Sequence, residues 1–237
     1  MPVFELGQEI VFPPVRFAED GLLAYGGDLT AERLVCGYRH GIFPWYSEGD
    51  PILWWAPEER MVLFPERIHV SRRMRRYIRG AKMTAVADTR FEQVIQLCAQ
   101  VRRKSQDGTW IFAEMIEAYT NLHHLGLAHS IEIIRNDVLV GGLYGVSLGG
   151  VFFGESMFSL EPNASKIAMV ALAHQCERWG IGMIDCQMWT EHLASMGACI
   201  LSRTAFMRVL RKALKKNTLE GAWSLDPDIL CLGAPGS

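Results

Sequence analysis

The sequence predicts an α+β fold, with a small loop-rich domain over residues 1–62 and a larger mixed-sheet domain over residues 63–237. Three observations carry this. Residues 1–62 gather Pro13-Pro14, Gly26-Gly27, Pro44, Pro51 and Pro57 with three of the seven tryptophans. Residues 128–135 and 138–146 read as strands joined at Asn136-Asp137, a hairpin signal, and a third strand, 151–158, follows Gly149-Gly150. Helix, strand and helix patterns come after them, an order that suits a mixed sheet. With 237 residues, 49% of them hydrophobic, and a net charge of −2, the chain can bury a large core, and disorder is excluded as its main state.

The elements follow in order. A helix is expected from about Thr30 to His40, with Leu34, Val35 and Tyr38 on its buried side and Gly41 ending it. Ser71 can cap a helix over 72–79 whose apolar side is Met74, Tyr77 and Ile78. Thr89-Arg90-Phe91-Glu92 reads as a capping box, followed by Val94, Ile95 and Cys98 at helical spacing. Another helix spans about 113–125. Beyond the three strands, Asn163 is expected to cap a long helix that stops at Gly180. An apolar strand, 183–189, a short helix near 191–196 and a last helix over 204–216 complete the chain.

Several classes lose support. The opening residues lack the basic start and apolar run of a secretion signal, so a cytoplasmic chain is expected. The longest uncharged stretch, Val138 to Gly154, is short for a membrane span and broken by five glycines. The six cysteines form no CxxC pair, which favours reduced thiols over a zinc site or a disulfide framework. No G-x-S-x-G, HExxH or Walker motif occurs.

Charge is segregated. Between Arg60 and Lys82 there are eight basic residues and one acid, and five of the arginines (Arg72, Arg73, Arg75, Arg76, Arg79) sit on one two-turn helix. Such a helix repels itself unless an anion is near, and arginine forks suit phosphates, so RNA backbone binding is expected there. Arg203 to Lys216 holds six basic residues and no acid, and Arg102-Arg103-Lys104 adds a third cluster. Solvated helix faces are the plainer reading of the second. The aromatics Phe43-Pro44-Trp45-Tyr46 and Trp54-Trp55 suit either core plugs or stacking on unpaired bases.

Two strands carry polar residues in apolar surroundings. Glu155 lies within Val151-Phe152-Phe153-Gly154-Glu155-Ser156-Met157-Phe158. A buried carboxylate needs a partner, either an internal arginine or a cationic ligand. Asp185 and Gln187 lie within Met183-Ile184-Asp185-Cys186-Gln187-Met188-Trp189, where strand parity puts both on one face. The acid can orient the amide there, or the two form a satisfied buried pair.

Seven segments, read together and in order, carry a resemblance. They are Gly21-Leu22-Leu23-Ala24-Tyr25-Gly26-Gly27-Asp28-Leu29, His40-Gly41-Ile42-Phe43-Pro44-Trp45, Pro51-Ile52-Leu53-Trp54-Trp55, Gly108-Thr109-Trp110-Ile111, His129-Ser130-Ile131-Glu132, Gly154-Glu155-Ser156-Met157-Phe158-Ser159 and Asp185-Cys186-Gln187. The chain resembles the bacterial leucyl/phenylalanyl-tRNA–protein transferases over about residues 21–205. The resemblance implies a larger domain like the GCN5-related acetyltransferases. It also implies transfer of Leu or Phe, with Met a further candidate, from charged tRNA to the α-amine of proteins beginning with Arg or Lys. Such proteins are thereby marked for N-end-rule degradation. The aminoacyl ester is already activated, so no metal, ATP or cofactor is expected, and a monomer is the expected state. The resemblance assigns Asp185 and Gln187 to catalysis and Glu155 to the basic acceptor side chain. It places Tyr38, Trp45, Trp110 and Tyr119 at the aminoacyl-adenosine end or the acceptor peptide. Phe152 and Met157 line the pocket for the transferred side chain. Strand parity sets Phe152 opposite Glu155 and Met157, so a bulge near Gly154 is needed. Leu143 stands where relatives carry Met.

Two rival readings remain. An acyl-CoA-dependent transferase would hold pyrophosphate with Q/R-x-x-G-x-G/A, but Glu177-Arg178-Trp179-Gly180-Ile181-Gly182 begins with an acid and ends a helix. A non-catalytic tRNA-binding protein has no use for Glu155 or the Asp185/Gln187 pair.

Overall fold

The computed structural model describes residues 3–100 and 111–231. The chain opens with a four-stranded sheet. Its strands are β1 (Phe4–Leu6), β2 (Leu22–Gly26), β3 (Phe43–Pro44) and β4 (Leu53–Trp55), in the order β1-β2-β4-β3. The helix α1 (Ala31–Arg39) lies between β2 and β3, where a helix is expected, and the Thr30 side chain caps it. The first 62 residues are therefore loop-rich as expected, with a small sheet at their centre. The strands are only two to five residues long and rich in Trp, Pro and Gly, so they lack the alternation that marks a strand in sequence. Trp54 is fully buried, and its ring N–H donates to the Gly26 carbonyl.

The larger sheet has seven strands: β5 (Glu59–Leu63), β6 (Thr84–Ala87), β7 (Ala128–Arg135), β8 (Val138–Leu148), β9 (Val151–Ser159), β10 (Met183–Gln187) and β11 (Cys199–Ser202). Their order is β11-β5-β10-β9-β8-β7-β6. Only β9 and β10 run parallel among these neighbours. The long connection between them is the helix α5 (Ala164–Trp179), as a parallel pair requires. β5 crosses the expected domain junction at residue 62 and belongs to this sheet. The β7–β8 turn holds Asn136 at φ 49° and Asp137 at φ 61°, the left-handed pair that a two-residue hairpin needs.

Helices cover both faces. α5 packs on β7, β8 and β9 on one side. On the other, α3 (Phe91–Gln100) packs on β7, β8 and β9, with α4 (Ala113–His124) beside it. The remaining helices are α2 (Arg72–Gly80), α6 (Glu191–Ala194) and α7 (Arg203–Ala213). Two caps differ from expectation. Thr89 does not close a capping box: its hydroxyl and N–H, with the Arg90 N–H, donate to the Glu132 carboxylate on β7. A buried acid from the sheet thus satisfies the start of α3, which local sequence cannot reveal. Asn163 precedes α5 in the left-handed region, at φ 66°, and its side chain makes no capping bond. Gly180 ends α5 at φ 73°, as expected.

Candidate active site

The site opens where β9 and β10 part. Their pairing runs through Met183↔Val151, Ile184↔Phe152 and Asp185↔Phe153 and then stops. Both strands are irregular at that point. On β9 the register with β8 shifts between Gly145↔Gly154 and Tyr144↔Ser156, so Glu155 is an extra, bulged residue. The bulge near Gly154 is present, and it brings Phe152 and Met157 to one face of the strand. On β10 the register with β5 shifts between Asp185 and Gln187, and Gln187 adopts φ 60°.

A pocket of about 500 Å³ fills the gap. One part is apolar, lined by Leu143, Phe152, Met157, Met169 and Ile184. The other carries Glu155 and Gln187, with Phe43 and Trp45 from the small sheet. Gly145 makes the apolar part possible: a Cβ there would lie 2.6 Å from the Phe152 ring and closer still to the Phe153 carbonyl.

Glu155 is 7% exposed and, among the described residues, faces no cation. Its carboxylate accepts from the Tyr119 hydroxyl at 2.9 Å and from the Gln187 amide at 2.9 Å. Tyr119 has one hydrogen and gives it to Glu155, so Tyr38 donates to Tyr119 in turn. Burial pushes the Glu155 carboxyl up to about 7, against the hydrogen bonds from Tyr119 and Gln187, and the Asp185 charge adds to the rise. Burial first, and the Glu155 charge next, hold the Tyr38 and Tyr119 hydroxyls well above the usual phenol range.

Asp185 is fully buried and does have its cation. Arg60 on β5 meets it with Nε at 2.9 Å and Nη2 at 2.7 Å, a two-pronged pair. The Arg60 guanidinium lies between the Phe43 and Phe206 rings, at 4.5 and 4.8 Å, and donates to the Gly41 carbonyl. Arg60 therefore leaves the surface basic cluster to which its position in sequence assigns it. Asp185 also accepts from the Gln187 backbone N–H at 2.9 Å. The acid thus fixes the Gln187 backbone and not its amide, because the β10 irregularity turns that amide toward Glu155.

The structure brings together Tyr38, Trp45, Tyr119, Phe152, Glu155, Met157, Asp185 and Gln187. Trp110, and the Arg102-Arg103-Lys104 cluster, lie outside the described residues. Arg72, Arg73, Arg76 and Arg79 on α2 are exposed and, among the described residues, have no ion-pair partner; Arg75 donates to the Val70 carbonyl. A second groove, of about 620 Å³, separates α2 from the start of α5 and is lined by Arg73, Ser71, His69, Asn163 and Lys166. Ser165 faces the first pocket and Lys166 the second, so the two adjoin across one turn of α5.

A sequence model described as leucyl/phenylalanyl-tRNA protein transferase matches residues 62–211, and that of the N-terminal domain of the same transferase matches residues 27–58. The chain belongs to this family. A leucyl/phenylalanyl-tRNA–protein transferase of Syntrophus aciditrophicus is 54% identical over 229 residues, 96% of each chain. One from Anaeromyxobacter sp. strain Fw109-5 is 53% identical over 227 residues, 95% of this chain and 97% of its own. Among solved structures, that of L-PGS from Bacillus licheniformis aligns with a TM-score of 0.36 at 12% identity, covering 84% of this chain and 66% of the other.

Sequence reasoning missed the role of Arg60 and the groove residue Lys166. A lone arginine in an apolar strand, Met61-Val62-Leu63 following it, was the available signal for Arg60. Nothing local marks Lys166, which depends on where α2 docks.

Proposed function

We propose that the chain transfers Leu or Phe from aminoacyl-tRNA to the α-amine of proteins with N-terminal Arg or Lys, forming a peptide bond. The observation that carries this is a buried carboxylate, Glu155, that has no cation among the described residues and sits at the polar end of an apolar pocket. The apolar part, with Phe152 and Met157, suits the transferred side chain. Glu155 suits a guanidinium or ammonium, which would supply the missing charge.

An aminoacyl ester needs no further activation, so the work left is positioning, proton removal and stabilisation of the carbonyl oxygen. Gln187, whose amide meets Glu155 at the pocket, suits holding the attacking amine. Asp185 and Arg60 act through it, by fixing its backbone at the end of β10. Trp45 offers a face for the terminal adenosine. The α2 arginines and the adjoining groove with Lys166 suit the tRNA backbone, with little reading of bases. The same reading takes residues before β5 as a small domain and the rest as the catalytic one, works as a monomer in the cytoplasm, and needs neither metal nor ATP.

The test is transfer of labelled Leu from charged tRNA to a protein beginning with Arg, with one beginning with Ala as control. Transfer to the first alone is expected. Binding of tRNA without transfer would leave a tRNA-binding protein instead.

A further inference from the structure

Beyond α7 the described chain runs to residue 231 without helix or strand, yet it is firmly attached. Arg178 at the end of α5 holds Asp226 and Asp228, each at 2.6 Å. The Asp226 N–H donates to the Gln175 side chain. At the centre of this strap Trp223 is 5% exposed. Its backbone N–H donates to Asp88 at 2.7 Å, and Asp88 also holds His129 on β7 at 2.7 Å. The His129 ring stacks on Trp223 at 3.8 Å, its plane nearly parallel to the indole, and Trp179 meets the indole edge-on at 4.6 Å.

The third ring against Trp223 is Phe152, at 5.8 Å between centroids. Phe152 lines the apolar pocket and Trp223 does not. The geometry has a simple cause. His129 pairs directly with Gly145 across β7 and β8. Gly145 has no side chain, so the Phe152 ring lies over its backbone, beside the indole that His129 carries. Phe152 thus has the pocket on one side and Trp223 behind it.

We propose that Trp223 sets the depth of the side-chain pocket by holding Phe152 forward, and so tunes the choice between Leu and Phe. It is a positioning residue and touches no substrate. The proposal rests on the reading of the apolar pocket as the seat of the transferred side chain. An indole behind a ring prevents that ring from retreating. Its removal leaves a void into which Phe152 moves, because packed interiors close part of any cavity. The pocket then deepens and favours the longer, aromatic side chain.

The experiment compares Trp223→Ala and the milder Trp223→Leu with the wild type in the full chain. kcat/KM is measured for Phe-tRNA and Leu-tRNA with one Arg-starting acceptor. The Phe/Leu ratio is expected to rise by about three- to tenfold, chiefly through KM, and less for Leu than for Ala at 223, in line with what small volume changes do in apolar pockets. A merely structural role would lower the folded fraction and scale both substrates together. An unchanged ratio in whichever variant folds overturns the proposal. Met157→Ala, which lines the pocket directly, separates the two failures. If it shifts the ratio and the Trp223 variants do not, only the strap proposal falls. If none shifts it, the pocket reading falls as well.

Discussion

Glu155 and Asp185 are both buried acids, and what separates them is the cation that, among the described residues, Asp185 has and Glu155 does not. Removing the Arg60 guanidinium would leave Asp185 buried and unpaired, so Arg60→Ala should destabilise the fold by about 3–5 kcal/mol in chemical denaturation. Gln187→Ala should lower turnover with tRNA affinity nearly unchanged; wild-type turnover would remove Gln187 from catalysis. Glu155→Gln should raise KM for Arg-starting acceptors while leaving tRNA binding intact, and equal losses in both would argue against an acceptor site. The raised carboxyl gives a pH signature. Glu155 ionises as pH rises through about 7, so wild-type use of Arg-starting acceptors should improve relative to the Gln variant across that range. Stability runs the other way. A carboxyl higher in the folded than in the unfolded state favours folding below its ordinary 4.5 and loses that contribution as pH passes about 7. The stability of the wild type against denaturant should therefore fall relative to Glu155→Gln over this window. Sequence exposed both acids as anomalies in apolar strands. It could not say which one has the arginine, since Arg60 lies 125 residues from Asp185.

The elements that sequence made legible are those whose signals are local. Ser71, Thr30 and Gly180 end their helices where the pattern places them, and Asn136-Asp137 turns the β7–β8 hairpin. Short strands without alternation escaped, above all β5, whose Arg60 looks like a surface residue until β10 and β11 flank it. The bulge in β9 was legible only because three residues had to share one site. It also makes β8 sensitive. Gly145→Ala should push Phe152 from its place, impairing transfer and stability together in thermal melts and kinetics. α2 gives a cleaner separation, since its exposed arginines are not part of the core. Replacing Arg72, Arg73, Arg76 and Arg79 by Gln should weaken tRNA binding and flatten its dependence on log salt, with thermal stability little changed. Unaltered salt dependence would move the backbone contact elsewhere.

For the whole molecule, a net charge of −2 hides a local surplus of arginine, and composition alone could not place it. The two sheets are not independent bodies. One hydrophobic core joins Trp54 of the small sheet and Leu34 and Tyr38 of α1 to Phe153 of the large sheet, Tyr119 of α4 and Phe206 of α7. Calorimetry should accordingly find one unfolding transition, with two separate endotherms as the opposing result. The guanidinium of Arg60 sits at this junction, between Phe43 from one sheet and Phe206 from α7, and against the Gly41 carbonyl. That placement bears on descent. A recombination that swaps the small domain between relatives replaces one wall of the Arg60 cage and, through Asp185, disturbs the strand that carries Gln187. The two halves must therefore be inherited as a matched set, and hybrid chains would need their junction residues exchanged together.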